Sequence, residues 1–293
     1  MTKFNHYSKL YLEFKKHELK FSTFDKYTNI VRDRLNPTFG DLEILNIKPS
    51  DIKKWLYAID DVGGKSKRTY ISVLNGVFKE ALYDEVIDKL PTRHIKPPSF
   101  EKAKIKPFNA DEVQKIMSLA KVDNYRFYLA IAFYTGMRSG EIIGLKKSDI
   151  DFDKQTITVQ RTRSRFGESV PKTKSSIREI PILELLAPYI IELYNKHDNE
   201  YLFITQYKKP YRDTTVFVEY YWRPTLKELG LEYRRPYNCR HTYATNMLYK
   251  NLITPVQLAQ LLGHTNSQMV YDVYVNYIDK FNVDFDRSIS IYK

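Results

Sequence analysis

Apolar positions in the first ninety residues recur at three- and four-residue spacing, the mark of helices with one buried face. Phe4, Tyr7, Leu10, Tyr11 and Phe14 make one such stripe. Ser22, with Asp25 three residues on, has the form of a capping box, and the helix it opens is expected to stop near Asn36-Pro37. Pro49-Ser50-Asp51 starts another, carrying Ile52, Trp55, Leu56 and Ile59. The longest periodic run, from Lys65 to Leu90, turns Tyr70, Val73, Leu74, Val77, Phe78, Ala81 and Leu82 to one side.

The pattern lapses over residues 91–106, where prolines replace large apolar side chains and Arg93, Lys96, Lys102, Lys104 and Lys106 stand against Glu101 alone. This stretch reads as an extended basic linker, either a solvated tether or a strap that follows a polyanion. Asn109 then caps a helix with Asp111 and Glu112 in its first turn. Apolar helical runs continue to Tyr134 and again from Gly140 to Leu145. Between Gln155 and Ile182 the period drops to two: Ile157 and Val159 alternate with Thr156, Thr158 and Gln160, and Ile177 and Ile180-Pro181 close the run. Helical patterning returns from about Leu183, apart from an extended patch at residues 201–205. The fold class expected is mainly α with a small antiparallel β-sheet (α+β). A helical domain fills residues 1–90, a linker residues 91–106 and a mixed domain residues 107–293.

Composition narrows the partners. The 293 residues suit two domains, and a hydrophobic fraction of 43% supplies ordinary cores. A net charge of +12 suits a polyanion, although a basic surface alone is nonspecific. Cys239 is the single cysteine, so no internal disulfide forms, which fits a reducing cytoplasm. Charges interrupt the N-terminal apolar stripe, and no run is long enough for a membrane span, so no membrane partner is expected.

The chemistry expected here uses no metal and no cofactor. Asp149, Asp151 and Asp153 lack the glycine and closing glutamate of a calcium loop and read as a polar turn. The six histidines show no paired ligand spacing, and there is no phosphate-cradling glycine loop and no nucleophile elbow. What remains is an ordered set: Arg138 after a glycine turn in TGMRSGEIIGL, Arg240 in YNCRH, His264 in LGH, and Tyr274 ten residues later. Singly each has a bland reading: Arg138 paired with Glu141, His264 as a core histidine, Tyr274 as one of 24 tyrosines. Together they are the groups that phosphoryl transfer through a phosphotyrosine needs.

TGMRSGEIIGL resembles the first arginine box of the tyrosine recombinase (phage integrase) family, YNCRHTYATNML its second, and LLGHTNSQMVYDVY its closing histidine-to-tyrosine segment. PKTKSSIREIP is similar to the family's lysine-bearing hairpin, and SKRTYISVLNGVFKEAL to the last helix of its core-site-binding domain. The resemblance implies that Tyr274 attacks the scissile phosphate to give a 3′-phosphotyrosine and a free 5′-hydroxyl. Arg138 and Arg240 would hold the non-bridging oxygens and His264 would bond the same phosphate, while Lys172, or Lys174 if the hairpin aligns two residues along, would protonate the leaving oxygen. Glu141 would orient these groups. Where the family has histidine three residues before the second arginine, this chain has Tyr237, a poor base at neutral pH. Tyr271 is expected to turn inward, one helical turn before the nucleophile.

The resemblance further implies two domains gripping opposite faces of a double-stranded core site, with Arg161, Arg163, Arg165 and Arg178 joining Lys102, Lys104 and Lys106 as the DNA-binding surface. It implies a homo-tetramer at synapsis, and the C-terminal segment bearing Phe281, Val283, Phe285 and Ile289 is expected either to fold back on its own domain or to dock on a neighbouring protomer and couple the active sites. A directionality factor is a further candidate partner, and the location is the cytoplasm, at the nucleoid. The first stripe begins within ten residues of Met1, so an arm-site-binding domain is expected to be absent or removed. An integrase of a phage or mobile element is favoured. The rival readings are chromosome-dimer resolution, relaxation by a type IB topoisomerase, and a DNA-binding relative without catalysis.

Overall fold

The computed structural model describes residues 2–100, 105–170 and 174–274. The chain divides into two compact units, residues 1–103 and 104–293.

The first unit is helical. α1 (Phe4–Glu18) buries Phe4, Tyr7 and Tyr11, whereas Phe14, the last residue of the expected stripe, is exposed. α2 (Phe21–Ile30) begins one residue before Ser22, with Lys20 at the cap and no side-chain cap bond, so the proposed capping box does not form. The helix also does not stop at Asn36-Pro37. It passes through a π turn (Val31–Leu35), in which Asn36 N–H donates to the Val31 carbonyl, into α3 (Asn36–Phe39). Proline has no N–H to place and its φ is already helical, so the wider turn lets the chain absorb it. α4 (Pro49–Ala58) buries Ile52, Trp55 and Leu56, and the Trp55 indole donates to the Arg34 carbonyl at 3.2 Å. α5 (Gly64–Tyr83) is the longest helix but ends seven residues before Leu90, because the chain turns through Glu85 at φ 54°. Its inward face of Val73, Leu74, Val77, Phe78 and Ala81 packs against α1 and α2.

The start of the expected linker belongs to this unit. Ile95 is buried in its core, the Thr92 hydroxyl donates to Asn75 on α5, and the Arg68 guanidinium lies 5.0 Å over the Phe100 ring. Arg93 and Lys96 are therefore carried by a segment anchored at Thr92 and Ile95. Lys102 lies outside the described residues, as does Lys104.

The second unit is built around α7 (Asp123–Thr135), apolar on all sides and buried from Phe127 to Phe133. Before it, α6 (Ala110–Ser118) carries the expected cap, with Glu112 N–H donating to Asn109. After it, Gly136 at φ 63° ends α7, and α8 (Ser139–Ile142) follows at once. β1 (Ile150–Asp151), β2 (Thr156–Val159) and β5 (Arg178–Pro181) form an antiparallel sheet in which Ile157 faces Ile180 and Val159 faces Arg178. β3 (Thr162–Ser164) and β4 (Gly167–Ser169) make a separate hairpin. Alternation is kept in β2, with Ile157 and Val159 buried, whereas Ile177 is exposed just before β5.

α9 (Ala187–Asn195), α10 (Thr215–Phe217), a π turn (Val218–Trp222) and α11 (Arg223–Glu228) close over α7, with Tyr128 stacked on Phe217 at 4.8 Å. α12 (Asn238–Tyr249) lies along α7, and its Thr242 hydroxyl accepts from the Phe108 N–H at 2.9 Å. α13 (Pro255–Leu262), capped by Thr254, and α14 (Gln268–Tyr274) complete a small core of Tyr243, Leu248, Leu258, Leu262, Val270 and Tyr274. Among the described residues no helix is long and apolar enough to cross a membrane, and no cluster of possible metal ligands occurs.

Candidate active site

The site forms where the ends of α7, α12 and α13 meet. Gly136 has the left-handed conformation, and a Cβ there would lie 2.6 Å from Tyr243 and 3.0 Å from Leu262, so both the backbone angle and the close packing call for glycine. This close approach lets its carbonyl accept from Arg240 Nη1 at 2.9 Å. Gly263 does the same at the end of α13, at φ 66°, with Arg178 packed against it. Arg240 Nη2 donates to the Leu262 carbonyl at 2.7 Å and to His264 Nε2 at 2.9 Å. Since guanidinium can only donate, the His264 proton sits on Nδ1.

Arg240 is 1% exposed, and burial, with the charge of Arg138 beside it, lowers its pKa to about 10. Two donors here, Arg240 Nε and His264 Nδ1, are buried without a partner among the described residues. Unmatched buried donors are costly and call for an acceptor that arrives from outside. Burial and the charges of Arg240, Arg138 and Arg178 hold the His264 pKa down to about 4.

Arg138 is partly exposed, and its Nη1 donates to Glu141 at 2.7 Å. The bland reading of that arginine is therefore correct as far as it goes. Glu141 is buried, however, and is shared: Arg178 Nη2 donates to its other oxygen at 2.9 Å. Burial would raise the Glu141 carboxyl, but the hydrogen bond and charge of Arg178, with Arg138, hold it below its ordinary value.

This corrects the expectation for Arg178. It stands inside the protein, with Nε donating to the Leu261 carbonyl at 2.6 Å, because its place on β5 opposite Val159 turns it to the core side. Arg161 and Arg163 are also engaged within the unit. Arg161 pairs with buried Asp149, and Arg163 donates to the Tyr211 carbonyl at 2.6 Å over the Tyr201 ring. Arg165 lies at the tip of the β3–β4 hairpin against Phe166. Lys106 pairs with Glu232 on the surface. Lys172 and the side chain of Lys174 lie outside the described residues.

Tyr274 is brought to the cluster. It is 2% exposed, its phenol is pushed well above its ordinary pKa by burial, and Arg240 pulls the other way. Val270 and Tyr274, four residues apart, form the inward face of α14. Tyr271, one position off that face, is 41% exposed and turns outward, contrary to expectation. The Tyr274 hydroxyl is 2.8 Å from Nδ1 of His241, a residue that sequence reasoning passed over. A signal was there: His241 lies one helical turn after Tyr237, on the same face of α12, and the two rings pack edge to face at 4.9 Å. Tyr237 itself is 43% exposed at the helix start.

On a mainly helical scaffold, Arg138 and the Tyr274 phenol thus both lie within electrostatic reach of Arg240, beside unmatched donors that an anionic group would suit. The pattern of the phage integrase family matches residues 106–280, and that of its N-terminal SAM-like domain matches residues 3–58. The chain belongs to the phage integrase family and is a tyrosine recombinase, an enzyme that cuts and rejoins DNA. It is 28% identical to a XerC-like tyrosine recombinase of Caldanaerobacter subterraneus, over 89% of this chain and 75% of that one. It is equally 28% identical to a putative prophage phiRv2 integrase of Mycobacterium tuberculosis, over 86% and 69%. Its fold is similar to the Tn1549 transposon integrase in complex with a circular intermediate DNA, with a TM-score of 0.77, 21% identity and coverage of 92% and 94%. It is also similar to a lambda integrase tetramer bound to a Holliday junction, with a TM-score of 0.76, 20% identity and coverage of 91% and 79%.

Proposed function

We propose that the chain is the integrase of a phage or other mobile element, acting on double-stranded core sites with Tyr274 as nucleophile. The reading rests on one observation above all: Arg240 and His264 carry unmatched buried donors in the same cluster that holds the Tyr274 hydroxyl. A phosphodiester supplies the missing acceptor. Arg138 and Arg240 then hold its non-bridging oxygens, and His264 donates to it from Nδ1. Glu141, gripped by Arg178, fixes Arg138. The phenolic oxygen displaces the 5′-oxygen and leaves a 3′-phosphotyrosine, with Lys172 or Lys174 protonating the departing group. The new ester keeps the energy of the broken one, so rejoining needs no cofactor. The prophage and transposon integrases among the similar proteins favour integration over chromosome-dimer resolution. The lambda tetramer on a junction favours a homo-tetramer at synapsis, and a directionality factor would set whether the element enters or leaves.

The test is a nicked core-site duplex that traps the covalent complex, run beside supercoiled plasmid. Site-dependent adduct and strand exchange, both lost in Tyr274→Phe, are expected. Relaxation of plasmid without sequence preference would assign a topoisomerase instead, and no adduct from the unaltered protein would leave only a DNA binder.

A further inference from the structure

We propose that His241 is the proton acceptor for the Tyr274 hydroxyl, filling the place that Tyr237 leaves open. The proposal rests on the reading of Tyr274 as nucleophile. His241 Nδ1 lies 2.8 Å from the phenolic oxygen, with the rings 5.7 Å apart and tilted by 56°. That is hydrogen-bond reach, the first requirement of a general base.

Position supports the same role. His241 follows Arg240 directly on α12, so the side chain that faces the attacking oxygen is tied to the one proposed to hold the phosphate. Tyr237, one turn earlier, packs its ring against His241 and fixes the imidazole, while its own phenol is no acceptor near neutral pH. His264 is not free to serve, since its Nε2 lone pair is taken by Arg240. The groups around His241 are Arg240 and Tyr237 on its own helix, His264 after α13, and Tyr274 on α14.

Burial and the Arg240 charge hold the His241 pKa down to about 4, so the imidazole is neutral and able to accept at physiological pH. A phosphate bound to Arg240 offsets that charge and strengthens the base at the moment of attack. In the step, the Tyr274 O–H bond breaks and its proton passes to His241 Nδ1. The phenolic oxygen bonds to phosphorus, the P–O5′ bond breaks, and the 5′-oxygen takes a proton from the hairpin lysine. Rejoining reverses each transfer, and the imidazolium returns its proton to the departing phenol.

The experiment follows the rate of covalent adduct on a nicked duplex bearing the crossover sequence from a captured junction, from about pH 6 toward the phenol range near 10. His241→Asn keeps a hydrogen-bond acceptor but not a base. It is expected to slow adduct formation at neutral pH by about 10²–10⁴-fold, with recovery as pH rises and core-site affinity unchanged. His241→Gln is read in the same way if the first variant fails to bind. A wild-type rate and pH profile, a uniform loss at every pH, or loss of binding in both variants would each overturn the proposal. Tyr274→Phe separates the two readings. Adduct persisting in that variant defeats Tyr274 as nucleophile; adduct lost there but unaffected by the His241 changes defeats only the base.

Discussion

Glu141 shows how much of this site is held by pairing within the protein. Its carboxylate is buried between Arg138 and Arg178, so truncation strands two guanidinium groups, one of them buried. Glu141→Ala should lower stability by about 3–5 kcal/mol, measured by urea denaturation. The two low-pKa histidines give a pH signature of opposite origin. His241 and His264 both drop to about 4 from an ordinary value near 6.5, so between those limits the unfolded chain binds protons that the folded one refuses. Stability therefore rises with pH through that window. The melting temperature should fall as pH is lowered from about 6.5 to about 4, and the slope should shrink in a His241→Asn, His264→Asn double variant. Neither relation could be read along the chain: Glu141 and Arg178 are 37 positions apart, and only the meeting of β5 with α8 and α13 makes them neighbours.

At the level of helices and turns, the glycine after α7 decides whether the arginines can converge. Gly136→Ala adds a Cβ against Tyr243 in a left-handed conformation. It should cost about 1–3 kcal/mol, and adduct formation should suffer more than stability does, because the carbonyl that seats Arg240 shifts. Thr254 is a milder case. Its hydroxyl accepts from Gln257 N–H at the start of α13, and Thr254→Ala should cost about 1 kcal/mol by thermal unfolding with little effect on the site. Local grammar was legible where the cause was local. The Asn109 cap, the β2 alternation and the inward face of α5 follow from neighbouring residues. It failed where a longer-range choice intervened: Ser22 lost to a start at Phe21, Pro37 was absorbed by a π turn, and Tyr271 gave its inward place to Tyr274 because Val270 sets the face of α14.

For the chain as a whole, the count of 47 lysines and arginines overstates the free cations. Arg161 and Arg178 are neutralised by buried Asp149 and Glu141, and Arg163 spends its Nε on a backbone carbonyl. Affinity for core-site DNA should fall linearly on a log–log plot against salt. Arg161→Gln should leave that slope unchanged while lowering the melting temperature, since its charge is already answered inside the protein. The order of motifs disclosed the family. Which arginines face DNA and which brace the interior depends on strand register, which charge patterning does not encode.

Cys239 offers a practical handle on this architecture. It is the single thiol of the chain, 1% exposed between Asn238 and Arg240, with its ionisation pushed far up by burial. An alkylating reagent can reach it only when the start of α12 lifts away, so the labelling rate under native conditions is a clock for opening of the segment that carries Arg240 and His241.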